Sequence, residues 1–221
     1  MPYYHRRNPR LKGFDYKSDA DYFVTICTAD RKYLFGEIIN SDPSIILGEA
    51  LIPDPRIETE SSSDSNPNVG ASFMAPSTGV DLTIARTQFP DVITKYSPGE
   101  MKLNETGKQI KGLWENLPQK FPVELDEYQI MPNHIHADLS LMNEEASKNG
   151  KPVYILGEMI RSFKAEASHL IGQHLWQRGY YDHIIWDYDD YKRIRTYIVL
   201  NPKIWARDRN NHKNFSVGLR A

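Results

Sequence analysis

The chain has 221 residues, 40% hydrophobic and 25% charged, enough for one domain of ordinary size around a packed core. No run approaches 18 apolar residues, so no membrane-spanning helix is expected, and the single cysteine, Cys27, excludes an internal disulfide or a cysteine-based zinc site. The formal net charge of −2 argues mildly against nucleic-acid binding, but residues 39–98 hold eight acids against three bases, a net of −5, which leaves +3 elsewhere.

The first residues, MPYYHRRNPRLKGFDYK, are positive but have no apolar run behind them, so they do not read as a secretory signal, and the cytoplasm is the expected location. Residues 21–28 (DYFVTICT) are aromatic and β-branched and predict a strand. Residues 58–70 (ETESSSDSNPNVG) are Ser-rich and without periodicity, and read as a mobile surface loop; VDLTIA (80–85) is a β-like piece beside it. Asn104 suits a helix N-cap, with Ile110, Leu113, Trp114 and Leu117 at helical spacing behind it and Pro118 closing the pattern. Two strands, 123–131 and 134–142, flank a Pro132-Asn133 turn and predict an antiparallel hairpin. Leu156, Met159, Ile160, Phe163, Ala167, Leu170 and Ile171 mark one face of an amphipathic helix. Residues 176–185 read as loop and short strand, and 187–200 as a last helix, with Asp189 and Asp190 at its start and Pro202 after it. The order strand, helix, strand, strand, helix, strand, helix predicts an α+β domain, an antiparallel sheet with helices on one face, spanning 1–221 with an insertion at 39–98.

Three groups of residues could do chemistry. In His134-Ile135-His136 a strand turns both imidazoles to one face, half of a metal site, although such pairs also occur as plain surface residues. Asp138 shares that face, as a further ligand or as a solvated strand residue, the second being the expectation. On the last helix Tyr197 and Asn201 stand four apart: a phenol that can act as nucleophile and an amide oxygen suited to a hard cation. Equally, Tyr197 could simply pack beside the stripe of Tyr191, Ile194 and Ile198. Bases cluster at the two ends: Arg6, Arg7, Arg10 and Lys12, then Lys192, Arg193, Arg195, Lys203, Arg207 and Arg209. They suit phosphate contacts or an ordinary solvated surface.

YQIMPNHIHADL (128–139) resembles the histidine-hydrophobic-histidine motif of single-tyrosine transposases, and its Pro-Asn-His lead-in resembles the REP-associated tyrosine transposases in particular. RRNPRLKGFDYKSDADYFVTICTADRKYLFGEI (6–38), RSFKAEASHLI (161–171), LWQRGYYDHII (175–185) and YIVLNPKIW (197–205) resemble further blocks of that family in the same order, covering nearly all of the chain outside 39–98. The resemblance implies a ferredoxin-like sheet of the RNA-recognition-motif kind with helices mainly on one face, and a homodimer. It implies His134 and His136 as metal ligands, Asn201 as the third, and Tyr197 as the nucleophile. Two departures stand out: the 39–98 insertion, and Trp186 where the family pattern has an arginine.

The implied activity is cleavage and strand transfer on single-stranded or hairpin DNA through a 5′-phosphotyrosine, with Mg2+ or Mn2+. Arg161 and Lys164, three apart on the polar side of their helix, and Arg193 on the last helix are the expected DNA contacts, with solvated charge as the plainer reading. Two other readings remain open: a noncatalytic nucleic-acid-binding protein, and a metal-dependent hydrolase built on His134, His136 and Asp138.

Overall fold

A computed structural model describes residues 14–39 and 100–211. Its centre is β1 (Ala20–Cys27), in which Tyr22 to Ile26 are all buried. A strand buried on both sides needs cover on both faces, and this composition supplies it: Tyr22, Val24 and Ile26 point one way, Phe23 and Thr25 the other. β1 pairs antiparallel with β5 (His134–Leu141) on one side and β6 (Tyr181–Ile184) on the other, and β5 pairs with β4 (Val123–Met131). The sheet order is β4-β5-β1-β6. With α1 (Glu105–Glu115) between β1 and β4, and α3 (Leu156–Ile171) between β5 and β6, this is the βαββαβ, ferredoxin-like arrangement.

The expected α+β fold is present, with a difference in its layers. α1 and α3 cover one face, where Trp114 meets Phe163 edge-on at 5.1 Å between ring centroids. The last helix, α4 (Tyr188–Leu200), lies on the other face. There Phe23, Ile185, Tyr191, Ile194, Tyr197 and Ile198 form a second, smaller core. Phe23 is the reason: a large apolar ring on that side of the central strand has to be covered.

The first cap is as expected, and the last helix starts one residue later than expected. Asn104 caps α1, its Oδ1 accepting from the Gly107 N–H at 2.9 Å. Asp187 caps α4, accepting from the Asp190 N–H at 2.9 Å. Leu170 departs from expectation: it is 50% exposed, at the last turn of α3. A short helix, α2 (Asn143–Lys148), follows β5 and was not predicted, because six residues show no period.

Before α1 the chain makes a two-stranded ribbon, β2 (Gly36–Ile39) with β3 (Glu100–Leu103), in which Ile39 and Glu100 are register partners. The chain therefore leaves and re-enters the described fold at one point. The expected surface loop, and the rest of the 39–98 insertion beyond Ile39, lie outside the described residues. Among the described residues no helix is long and apolar enough to cross a membrane.

Candidate active site

β5 begins directly after the Pro132-Asn133 turn, and its alternation puts His134 and His136 on the α4 side of the sheet, while Ile135, Ala137 and Leu139 join the main core. Both histidines are fully buried, with ring centroids 4.3 Å apart. Phe23 stacks on His136 at 5.3 Å, and Trp205 lies over His134 at 6.0 Å.

The ring nitrogens are oriented from behind. Asn133 donates its amide hydrogens to the carbonyls of Arg31 (3.0 Å) and Asn210 (2.8 Å). Its Oδ1 is thereby turned to Nδ1 of His134 at 2.8 Å, which assigns the proton to Nδ1 and makes Nε2 the acceptor nitrogen, 3.5 Å from Nδ2 of Asn210. The Arg31 carbonyl comes from a loop in which Asp30 and Arg31 both have φ of 53°, a left-handed conformation uncommon for residues with side chains. His136 is held across β1, its Nδ1 2.9 Å from Oγ1 of Thr25, and its Nε2 is the nitrogen turned toward α4.

Past α4 the chain folds back over the pair. Asp208 brings a carboxylate oxygen to 3.9 Å from Nε2 of His134, and accepts from Nδ2 of Asn201 at 3.2 Å and from the Asn210 backbone N–H. One donor atom from each of His134, His136 and Asp208 lies within 4.8 Å of the others, and all three residues are buried, so the group could hold a metal ion. Among the described residues, Oδ1 of Asn201 and Oδ1 of Asn210 are buried without a hydrogen-bond partner. Each such oxygen costs about 1–3 kcal/mol, and both belong to side chains whose Nδ2 already contacts the group, at Asp208 and at His134. Two imidazoles, a carboxylate and amide oxygens make a donor set that fits a divalent cation.

Tyr197 closes the arrangement from α4. Its hydroxyl lies 3.5 Å from Nε2 of His136, and its ring is 5.2 Å from that imidazole. Of the other tyrosines near the last helix, Tyr191 donates to Asp126 at 2.6 Å, and burial with that carboxylate pushes its phenol well above the usual range. Tyr181 lies edge-on to Phe23, and Tyr180 packs against the main core.

The structure thus brings His134, His136 and Tyr197 together, with Asn201 joined through Asp208. Two of the three predicted DNA contacts lie on α3, across the sheet from them, and the third, Arg193, is one turn before Tyr197 on α4. Arg161 is exposed on α3, on the opposite face of the sheet. Lys164, on the same helix, donates to the carbonyls of Gln177 (2.6 Å) and Gly179 (2.8 Å), and burial lowers its pKa. Arg193 pairs with Asp190 on its own helix. Asp138 is buried, not solvated as expected, and the carboxylate grouped with the histidines is Asp208. Asp208 gave no signal in the sequence, sitting between Arg207 and Arg209 in a stretch that stands out only for its bases. Trp186 is 40% exposed, edge-on to Phe14 at 6.2 Å.

A ferredoxin-like sheet with a buried histidine pair, a carboxylate and a tyrosine from the helix across them is the class of site this geometry defines. No family model matches the chain. A protein of Haemophilus influenzae described as uncharacterized is 28% identical over 224 residues, covering 93% of this chain and 92% of that protein. Among solved structures, a REP-associated tyrosine transposase bound to a REP hairpin aligns with 91% of this chain and 82% of its own, at 14% identity and a TM-score of 0.43.

Proposed function

We propose that this protein cleaves and rejoins single-stranded DNA through a covalent tyrosine link. The observation that carries this reading is the Tyr197 hydroxyl 3.5 Å from Nε2 of His136, inside the one buried group of metal-suited side chains found among the described residues. The blocks that resemble single-tyrosine transposases assign Tyr197, His134 and His136 to the same roles, with Asn201 in place of Asp208 as the third ligand.

His134 and His136 through Nε2, the Asp208 carboxylate and the Asn201 amide oxygen are the groups that would hold Mg2+ or Mn2+. When bound, such an ion polarises the scissile phosphate and offsets its growing negative charge. The Tyr197 oxygen forms the new bond to phosphorus in line with the P–O3′ bond, which breaks. The phenol gives up its proton, and the 3′ oxygen takes one up as it leaves. The products are a 5′-phosphotyrosine and a free 3′-OH, and attack by a second 3′-OH reverses the step without ATP. Phe23 and the α4 stripe keep water from the ring. With one nucleophile per chain, paired cleavages require two copies, hence a homodimer acting on single-stranded or hairpin DNA.

A second reading has its own observation: His134, His136 and Asp208 form a complete donor group without Tyr197, as a metal-dependent hydrolase would need. End-labelled hairpin DNA incubated with the full chain and Mn2+ separates the two on a denaturing gel. A DNA–protein adduct that survives denaturation is the expected result. Free 5′-phosphate without an adduct supports the hydrolase, and binding without cleavage overturns both.

A further inference from the structure

β4 carries a bulge: its register with β5 shifts between Leu125 and Tyr128, so Asp126 and Glu127 fall outside the regular ladder. In an unbroken strand two consecutive side chains point to opposite faces. Here both carboxylates reach the same guanidinium on α4. Arg195 donates from Nη1 to Asp126 at 3.0 Å, and its Nη2 lies 3.2 Å from Oε2 of Glu127. Nη1 also donates to the Tyr191 hydroxyl at 3.0 Å, and that hydroxyl donates to the other oxygen of Asp126 at 2.6 Å. Tyr191 and Arg195 are one turn apart, so the helix is gripped at two points on one side. The side chains of Arg195 and Asp126 are only 18% and 9% exposed, which makes the grip far stiffer than a surface pair. Burial raises the Glu127 carboxyl above its ordinary value against the opposing pull of Arg195.

Two residues beyond Arg195 stands Tyr197. Apolar packing of Ile194 and Ile198 tolerates a range of helix rolls, because it is non-directional. A planar guanidinium held by two carboxylates does not. We infer that Arg195, gripped by Asp126 and Glu127 of the β4 bulge, is a positioning residue that fixes the roll of α4 and so holds the Tyr197 phenol at His136. This rests on the function proposed above. It adds a residue that touches neither DNA nor metal, but on which in-line attack depends, since misplacement by about 1 Å can cost about a hundredfold in rate.

The test uses the full chain with Arg195→Met and Arg195→Lys. At saturating labelled hairpin DNA and Mn2+, Arg195→Met is expected to slow adduct formation by about tenfold or more. The DNA concentration giving half-maximal rate and the Mn2+ affinity should stay within about twofold of native, and Arg195→Lys should recover part of the rate. A rate within twofold of native, or a loss matched by weaker DNA or Mn2+ binding, overturns the inference. A second readout is independent of catalysis. With 3-fluorotyrosine at position 197, His136→Ala should shift the fluorine resonance in the native background and leave it unmoved with Arg195→Met. An equal shift in both backgrounds refutes the positioning role. If the native chain forms no adduct, the proposed function fails, and the fluorine cycle alone decides this inference. If Arg195→Met does not fold, Glu127→Gln at the more exposed carboxylate carries both measurements, with a smaller effect of the same sign expected.

Discussion

The phenolic oxygen of Tyr197 lies 3.5 Å from Nε2 of His136, joining a helix on one face of the sheet to a strand at its centre. The contact is long for a hydrogen bond and contributes little to stability. Tyr197→Phe should therefore change stability by less than about 1 kcal/mol while abolishing the covalent DNA adduct. DNA binding, followed by fluorescence anisotropy, should persist. Residual adduct that moves to Tyr180, Tyr181 or Tyr191 would assign the nucleophile elsewhere.

Asn133 ties together Arg31, Asn210 and His134 through its side chain. Asn133→Ala leaves the buried Asn210 carbonyl and the part-buried Arg31 carbonyl without this donor and frees the His134 ring to rotate. We expect a loss of about 1–3 kcal/mol in urea unfolding and roughly tenfold or greater loss of Mn2+ affinity. A stability loss with unchanged Mn2+ binding would show that the ring is oriented by other contacts.

Much of this was legible in the sequence because it is local. His134-Ile135-His136 faces one side by strand period alone, and Asn104 caps its helix where the chain demands a side-chain acceptor. What was not legible depends on chain return. Asp208 meets His134 only because the segment after α4 folds back under the Tyr33 and Asn133 hydrogen bonds to Asn211 and Asn210. Neither it nor the bulge that turns Asp126 and Glu127 to one guanidinium leaves a periodic trace. The placing of α4 on the histidine face was signalled weakly, by Phe23, since alternation in β1 is hidden when both faces are apolar.

Two glycines of α1 should respond in opposite directions. A Cβ on Gly107 would lie 2.1 Å from the Phe35 carbonyl oxygen, which already accepts from the Asn104 N–H. Gly107→Ala should destabilise by about 1–3 kcal/mol. A Cβ on Gly112 meets nothing within 4 Å, so Gly112→Ala should stabilise by about 0.5–1 kcal/mol through helix propensity. Equal effects in chemical denaturation would contradict the close approach at Phe35.

Asp190 joins β6 to α4. Burial alone would raise its carboxyl, but hydrogen bonds from His183 and Arg193 outweigh it and hold the group below its ordinary value of 3.8. A depressed carboxyl contributes stability that is present above its unfolded-state value and is lost as pH falls through the folded one. Asp190→Asn should cost about 1–2 kcal/mol at pH 5, and the gap to native should shrink below about pH 4. An identical gap at pH 5 and pH 2.5 would show that the ionised carboxyl is not its source.

Asp208 separates metal affinity from metal-free stability. Its side chain is 1% exposed, and its carboxylate sits close to His134 and near two amide oxygens that have no donor of their own. Burying that charge without a cation is costly. Asp208→Asn keeps the shape and can still accept from Asn201 or the Asn210 N–H while removing the charge. The metal-free variant should be at least as stable as native in thermal melts. Its Mn2+ affinity, by calorimetry or electron paramagnetic resonance, should fall by about tenfold to a hundredfold, and the rise in melting temperature on adding Mn2+ should shrink with it. A residue that served only to pack the chain after α4 would lose stability in both states and leave the Mn2+ increment intact. If the variant binds Mn2+ as tightly as native, Asp208 is not a ligand, and the third position belongs to Asn201, whose Oδ1 is buried there without a partner.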